Sequence, residues 1–168
     1  MNFPRPLAAP LVVVPIPIIE GAVRLMFSRL LRRHPALFDR LGEHRAKRYA
    51  FRPTDLPLSF VIEPARPSVS VMRKQLEAPA DAVVGGPLFL LLALLEGRSD
   101  ADALFFSRSL MVTGDMEALL ALRNALDSAE IDLPRDLGES AGPLAAFVIR
   151  TAAAIRRRAL AGENAAWN

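Results

Sequence analysis

The sequence predicts an α+β domain, with helices packed on one small, mostly antiparallel sheet. Three observations carry this expectation. Apolar residues recur at helical spacing over 18–33 and again from residue 87 onward. Between them, four short stretches alternate apolar and polar residues and are bounded by prolines or glycines, as hairpin strands are. One further strand then stands between two helices, an order that lays helices on a sheet.

The opening MNFPRPLAAPLVVVPIPIIEG holds an apolar run from Leu7 to Ile19, interrupted by Pro10, Pro15 and Pro17 and too short to span a bilayer. A single arginine and repeated prolines fit a signal peptide poorly, so residues 1–17 read as an extended arm and the cytoplasm is the expected location. Over 18–46, Ile19, Val23, Met26, Phe27, Leu30 and Leu31 form the apolar stripe of an amphipathic helix; Arg24, Arg29, Arg32 and Arg33 lie mainly elsewhere around it. His34-Pro35 ends that helix, and ALFDRLGEHRA forms a second, shorter one.

KRYAFRP, LPLSFVIEP, SVSVMRK and DAVVGG then read as a small antiparallel meander. Leu58, Phe60 and Ile62 share one strand face, as do Val69 and Val71 on the next strand. In GGPLFLLLALLEG, Gly86 can cap, Pro87 can take the first helical position and Gly97 can end the helix. Its run 88–95 is apolar on every side and should be buried all round. SDADALFFSR adds a helical turn or two with Ser99 or Asp100 as cap, and SLMVTG a further strand. Gly114 turns the chain, Asp115 caps, and MEALLALRNALDSAE is an amphipathic helix. The central domain thus covers 47–130, 131–143 is a linker, and 144–168 holds a last helix and tail.

Composition narrows the chemistry. The apolar fraction of 52% over 168 residues and a mean hydropathy of +0.25 exceed what a small core needs; a lipid pocket, a membrane-facing surface and a protein interface all absorb the excess. With no cysteine, disulfides, thiolate catalysis and cysteine metal sites are excluded. Only His34 and His44 remain as imidazole ligands, with Asp39 and Glu43 alone close in sequence, so no metal site is expected. The net charge of +3 conceals a segregation: +7 over 1–52, −8 over 77–139 and +3 from residue 140. Basic ends can touch anionic lipid or fold onto the acidic centre.

Catalytic motifs are missing. No serine has a GxSxG context, and Gly85-Gly86-Pro87 lacks the spacing and ending of a phosphate loop. Asp100, Asp102, Asp115 and Glu117 fall where helix N-termini are expected, which explains them without acid–base chemistry. Ser107 and Thr113 alone make no polar constellation. Nineteen of twenty-one basic residues are arginine, yet the basic segments lack interleaved aromatics, so no nucleic acid partner is expected.

The order of motifs over 81–128 resembles the C-terminal half of the sterol carrier protein type-two (SCP-like) lipid-binding family. Asp81, the helix 87–96, Gly97, Asp100, Leu104-Phe105-Phe106, Arg108, Leu110, Val112, Gly114-Asp115 and the Leu119–Leu126 helix supply its pieces in turn. LFFSRSLMVTGD, with the basic helices that precede the sheet, looks most like the UbiT-like accessory factors of oxygen-independent ubiquinone biosynthesis. The resemblance implies an apolar tunnel between sheet and helices. Phe60, Ile62, Val69, Val71, Leu88, Leu91, Leu92, Leu95, Phe105, Phe106, Leu110, Val112, Leu119 and Leu122 would line it.

It further implies a non-enzymatic protein without cofactor. Such a protein holds a polyprenyl quinone precursor or phospholipid and presents it to hydroxylase partners. Arg24, Arg29, Arg32, Arg33, Phe147, Arg156 and Arg157 are the candidate membrane or partner contacts, with peripheral attachment to the inner membrane. The last helix is open between membrane contact, a lid, a homodimer interface and plain packing. The alternative from another class is a protein-interaction scaffold of the same fold with a solid core.

Overall fold

Two prolines shape the start of the first helix. The computed structural model describes residues 14–74, 79–96, 110–133 and 136. Helix α1, Ile16–Arg33, starts after Pro15, whose backbone is extended at ψ 136°, and Pro17 sits in the first turn, where a missing N–H costs nothing. The helix thus begins inside the stretch expected to be an extended arm. At its other end the His34 N–H donates to Leu30 O at 2.9 Å, and Pro35 forbids continuation. The second helix expected over 36–46 is a turn followed by a 3-10 helix, Asp39–Ala46, broken at Gly42 (φ +54°).

Strands β1 (Tyr49–Pro53), β2 (Leu58–Glu63), β3 (Ser68–Arg73), β4 (Ala82–Gly86) and β5 (Met111–Gly114) form one sheet in the order β3-β2-β1-β4-β5. The expected four-strand meander is corrected. Only β1, β2 and β3 form one; β4 lies on the other side of β1, paired with it in parallel from Tyr49↔Ala82 to Pro53↔Gly86. Strand β5 closes the order antiparallel to β4. Alternation in a sequence specifies which face a residue takes, and leaves the neighbouring strand open.

Register puts Tyr49, Ile62 and Val69 in one row across β1, β2 and β3, and Phe51, Phe60 and Val71 in the next. Ala82 and Val84 extend the same face onto β4. Helices α2 (Leu88–Leu95) and α3 (Met116–Asp127) pack on it beside β1 and β4, whereas α1 lies along β3. No position of α2 is exposed, as its all-round apolarity requires. Its cap differs from expectation: Pro87 is the cap residue, and Asp55 Oδ1 in the β1–β2 loop accepts the Leu88 N–H at 2.9 Å.

The Gly-Asp pair before α3 is a junction of backbone contacts. Gly114 has φ +92°, and a Cβ there would collide with the Asp81 carbonyl. The Asp115 N–H donates to that carbonyl oxygen at 2.8 Å, while Asp81 Oδ2 accepts the Arg48 N–H at 2.7 Å. Asp115 in turn caps α3 through the Ala118 N–H at 3.0 Å and pairs with Lys47 at 3.1 Å. The amide of Ala118, then Lys47, hold its carboxyl below the usual Asp value, and Asp115 raises Lys47. Below the junction Tyr49, 1% exposed, donates its hydroxyl to His44 O at 3.0 Å. Burial first, then the charges of Asp115 and Asp81, push its phenol up to about 12.

The segment expected as a linker after residue 130 begins as core: Ile131 and Leu133 are 3% and 2% exposed, and Asp136 is buried as well. The expected helical turns over 99–108 and the helix within 144–168 lie outside the described residues.

Two outcomes check this fold. Gly114→Ala removes about 3 kcal/mol or more of stability, because a Cβ meets backbone at an unfavourable φ; denaturant unfolding measures it. Tyr49 is the only tyrosine, so ultraviolet phenolate absorbance reports it alone. It should titrate near 12 in the native chain and near 10.0 in denaturant. Native stability falls across that interval, because the unfolded chain gives up its proton first.

Candidate functional site

Between α1 and the pair α2–α3, above the sheet face, lies a cavity of about 220 Å³. Helix α1 supplies Ile19, Val23, Met26, Phe27 and Leu30, and the turn after it Leu37 and Phe38. The sheet and its β1–β2 loop supply Phe51, Pro53, Leu56, Leu58, Phe60, Ile62 and Val69. From the other side come Leu88, Leu91, Leu92 and Leu95 of α2, Leu122 and Leu126 of α3, and Leu133 beyond it. Every described lining side chain is apolar. Such a wall offers shape and dispersion, and among the described residues it holds no acid, base or nucleophile.

The space follows from how the core divides. Leu30, Leu37, Phe38, Leu91, Leu94, Leu119, Leu122, Leu126 and their neighbours form the main cluster. Ile19, Leu58 and Val71 form a second, smaller one under the N-terminal half of α1. The cavity borders both, so α1 closes the gap without filling it. Phe27 and Phe38, with ring centroids 6.0 Å apart and tilted by 40°, stand in its wall.

Among the residues expected to line a tunnel, Phe60, Ile62, Val69, Leu88, Leu91, Leu92, Leu95 and Leu122 surround this cavity. Val71 packs instead under α1 with Ile19 and Leu58. Leu119 is buried in the main cluster one turn before Leu122, and Leu110 and Val112 pack against that cluster from the β5 side of the sheet. Phe105 and Phe106 lie outside the described residues. The α1 contribution is what sequence reasoning missed. Its apolar stripe was visible at helical spacing, but nothing local says whether such a stripe meets lipid, a partner or its own sheet.

The arginines expected at a membrane or partner separate in the same way. Arg24 donates from Nε to Val69 O at 3.3 Å, on the free edge of β3, and pairs with Glu20 at 2.9 Å. Arg33 Nη1 lies 3.7 Å from Asp136. Arg32 is exposed and Arg29 half-buried on the outer side of α1, where Ile18 and Leu25 are 61% and 45% exposed. Phe147, Arg156 and Arg157 lie outside the described residues. Among the described residues no group of His, Asp and Glu could hold a metal ion, and no helix is long and apolar enough to cross a membrane.

This architecture is matched by solved structures. A protein described as "UbiJ-SCP2 Ubiquinone synthesis protein" superposes with a TM-score of 0.55 at 23% identity, covering 71% of this chain and 98% of its own. Sterol carrier protein 2 from Yarrowia lipolytica, in its apo form, gives 0.45 at 17% identity over 68% of this chain and 91% of its own. Curated protein sequences yield no match. The family description "SCP-2 sterol transfer family" matches residues 27–127, from the middle of α1 to the last residue of α3. With more than half of its length so matched, this chain belongs to the SCP-2 sterol transfer family.

Proposed function

We propose that this protein is a non-catalytic lipid carrier of oxygen-independent ubiquinone biosynthesis, holding a polyprenyl precursor or phospholipid and presenting it to hydroxylase partners. The observation that carries the reading is the cavity, whose described wall is apolar throughout, inside an SCP-2 fold. Each methylene transferred from water into such a wall contributes about 0.8 kcal/mol, so a few isoprene units give useful affinity without a single hydrogen bond. The ubiquinone assignment is supported by the motif resemblance over 81–128 and by the description borne by the structural neighbour.

Membrane contact belongs to the same reading. Ile18 and Leu25 protrude from the outer side of α1, with Arg32 on the same side. An apolar ridge beside arginine suits an anionic bilayer surface, from which the ligand would be drawn. The cytoplasmic side of the inner membrane is the location this implies.

Native mass spectrometry with organic extraction, on protein purified without detergent, tests the carrier. A prenyl quinone or phospholipid at near one-to-one is the expected result. A protein that extracts clean and takes up no quinone from liposomes is a scaffold with a closed core. Val23→Trp sharpens the result: Val23 is half-buried in the α1 wall, and the indole occupies space now empty. Lipid load should fall at least fivefold while Tm holds or rises by a few degrees, since filling a cavity recovers lost contacts. A fall in Tm with lipid load unchanged would place the ligand elsewhere.

A further inference from the structure

Asp55, in the β1–β2 loop, uses one carboxylate oxygen and leaves the other without a partner. Its Oδ1 accepts the Leu88 N–H at 2.9 Å. Its Oδ2 is buried and accepts from nothing; among the described residues it is the one buried side-chain oxygen or nitrogen so placed. Native interiors pair nearly all such groups, because an acceptor taken out of water without a new bond loses its hydration for no return.

The surroundings hold the carboxylate where it is. At one end of the loop the Thr54 N–H donates to Gly86 O at 2.9 Å, and at the other the Lys74 N–H donates to Pro57 O at 3.1 Å. Turning Asp55 outward would strip α2 of its cap, since the cap residue Pro87 has no side-chain acceptor to offer. The positive N-terminal end of α2 favours the carboxylate there.

Its neighbours indicate the donor that suits it. Pro53 and Leu56, on either side of Asp55 in the chain, line the cavity, and so does Leu88, whose amide it holds. Asp55 itself stands outside that lining, beside the part bounded by these three residues. An ionised carboxylate only accepts, and it repels a phosphate. A donor that reaches it past apolar side chains is best neutral, because a hydroxyl leaves water at far less cost than an ammonium.

We infer that Asp55 Oδ2 is the polar anchor of the cavity: past Leu56 and Leu88, it accepts the hydroxyl of a head group whose chain lies against the apolar wall. The inference rests on the carrier reading and deepens it. It favours a prenyl alcohol or phenol over a phospholipid, whose phosphate the carboxylate repels.

Paired probes test the anchor on the intact, lipid-free chain. Calorimetric titration compares geranyl phenol with its methyl ether, and geraniol with its own. Each pair shares a chain and differs in the one donor. The hydroxylated member should bind about tenfold more tightly. A preference in the phenol pair alone assigns the site to an aromatic head, and one in the alcohol pair alone to an aliphatic head. Equal binding within both pairs means that a trapped water satisfies Oδ2, and overturns the anchor while the carrier reading stands. If none of the four probes binds, the carrier reading falls and the anchor with it.

Asp55→Asn separates the anchor from the cap. Its amide oxygen still accepts the Leu88 N–H, so α2 stays capped, while an N–H donor replaces Oδ2. Tm should hold within a few degrees, and the preference for the hydroxyl should shrink to about twofold or less. An unchanged preference in the Asp55→Asn variant places the hydroxyl elsewhere and overturns the proposal. Should that variant fold poorly, the wild-type pairs decide alone.

Discussion

Helix α1 is seated on the backbone of an edge strand rather than in the middle of the core, and the cavity depends on that seat. Strand β3 ends the sheet, so its outward backbone groups need partners. Arg24 reaches Val69 O, and Arg73 Nη2 reaches Val14 O at 3.1 Å, from opposite sides of the helix–strand contact. Ile19 and Val23 then face inward over β2 and β3, while α2 and α3 sit over β1 and β4. The three described α-helices on this five-stranded face leave a seam, and side chains of ordinary length bridge it without filling it. Had α1 slid toward α2, its stripe would have merged with the main cluster and the edge of β3 would have lost its cover.

Among the described residues, polar groups hold the frame and none lines the cavity. Asp81, Asp115, Lys47 and Tyr49 gather where β1, β4, β5 and α3 meet. Asp55 caps α2 from a neighbouring loop. Asp136 draws the chain after α3 against the end of α1. With these contacts outside the cavity, its described wall offers shape and dispersion alone. That suits repetitive chains, whose successive units present the same surface and differ only in number.

Much of this was legible beforehand. The all-apolar run of α2 had to be buried, because no side of it tolerates water. Gly114-Asp115 read correctly as a turn followed by a cap, because the needs of a left-handed residue and a free helix N–H are local. Lining residues on α2 and on β2 were legible once the order of motifs pointed to a tunnel between sheet and helices. The apolar stripe of α1 was equally plain, but its destination was not. Arg24 looked like a surface cation because its acceptor, Val69 O, lies 45 residues away. Likewise 131–143 looked like a linker, for Pro134, Gly138, Gly142 and three acidic residues punctuate it, and the partners of Leu133 and Asp136, Glu96 and His34, are distant in sequence.

By itself, then, the sequence determined that the strands and the three longer described helices exist, which of their faces are apolar, and that the chain carries no thiol. These properties depend on spacing and residue type within a few positions. Tertiary structure alone decided that β4 lies parallel to β1, that α1 covers the edge of β3, and that Leu133 stands in the cavity wall. Each of those is a choice of partner among several compatible surfaces, and it is made by long-range packing. A periodic pattern states that a face must be buried; only the assembled chain states against what, and how much room is left.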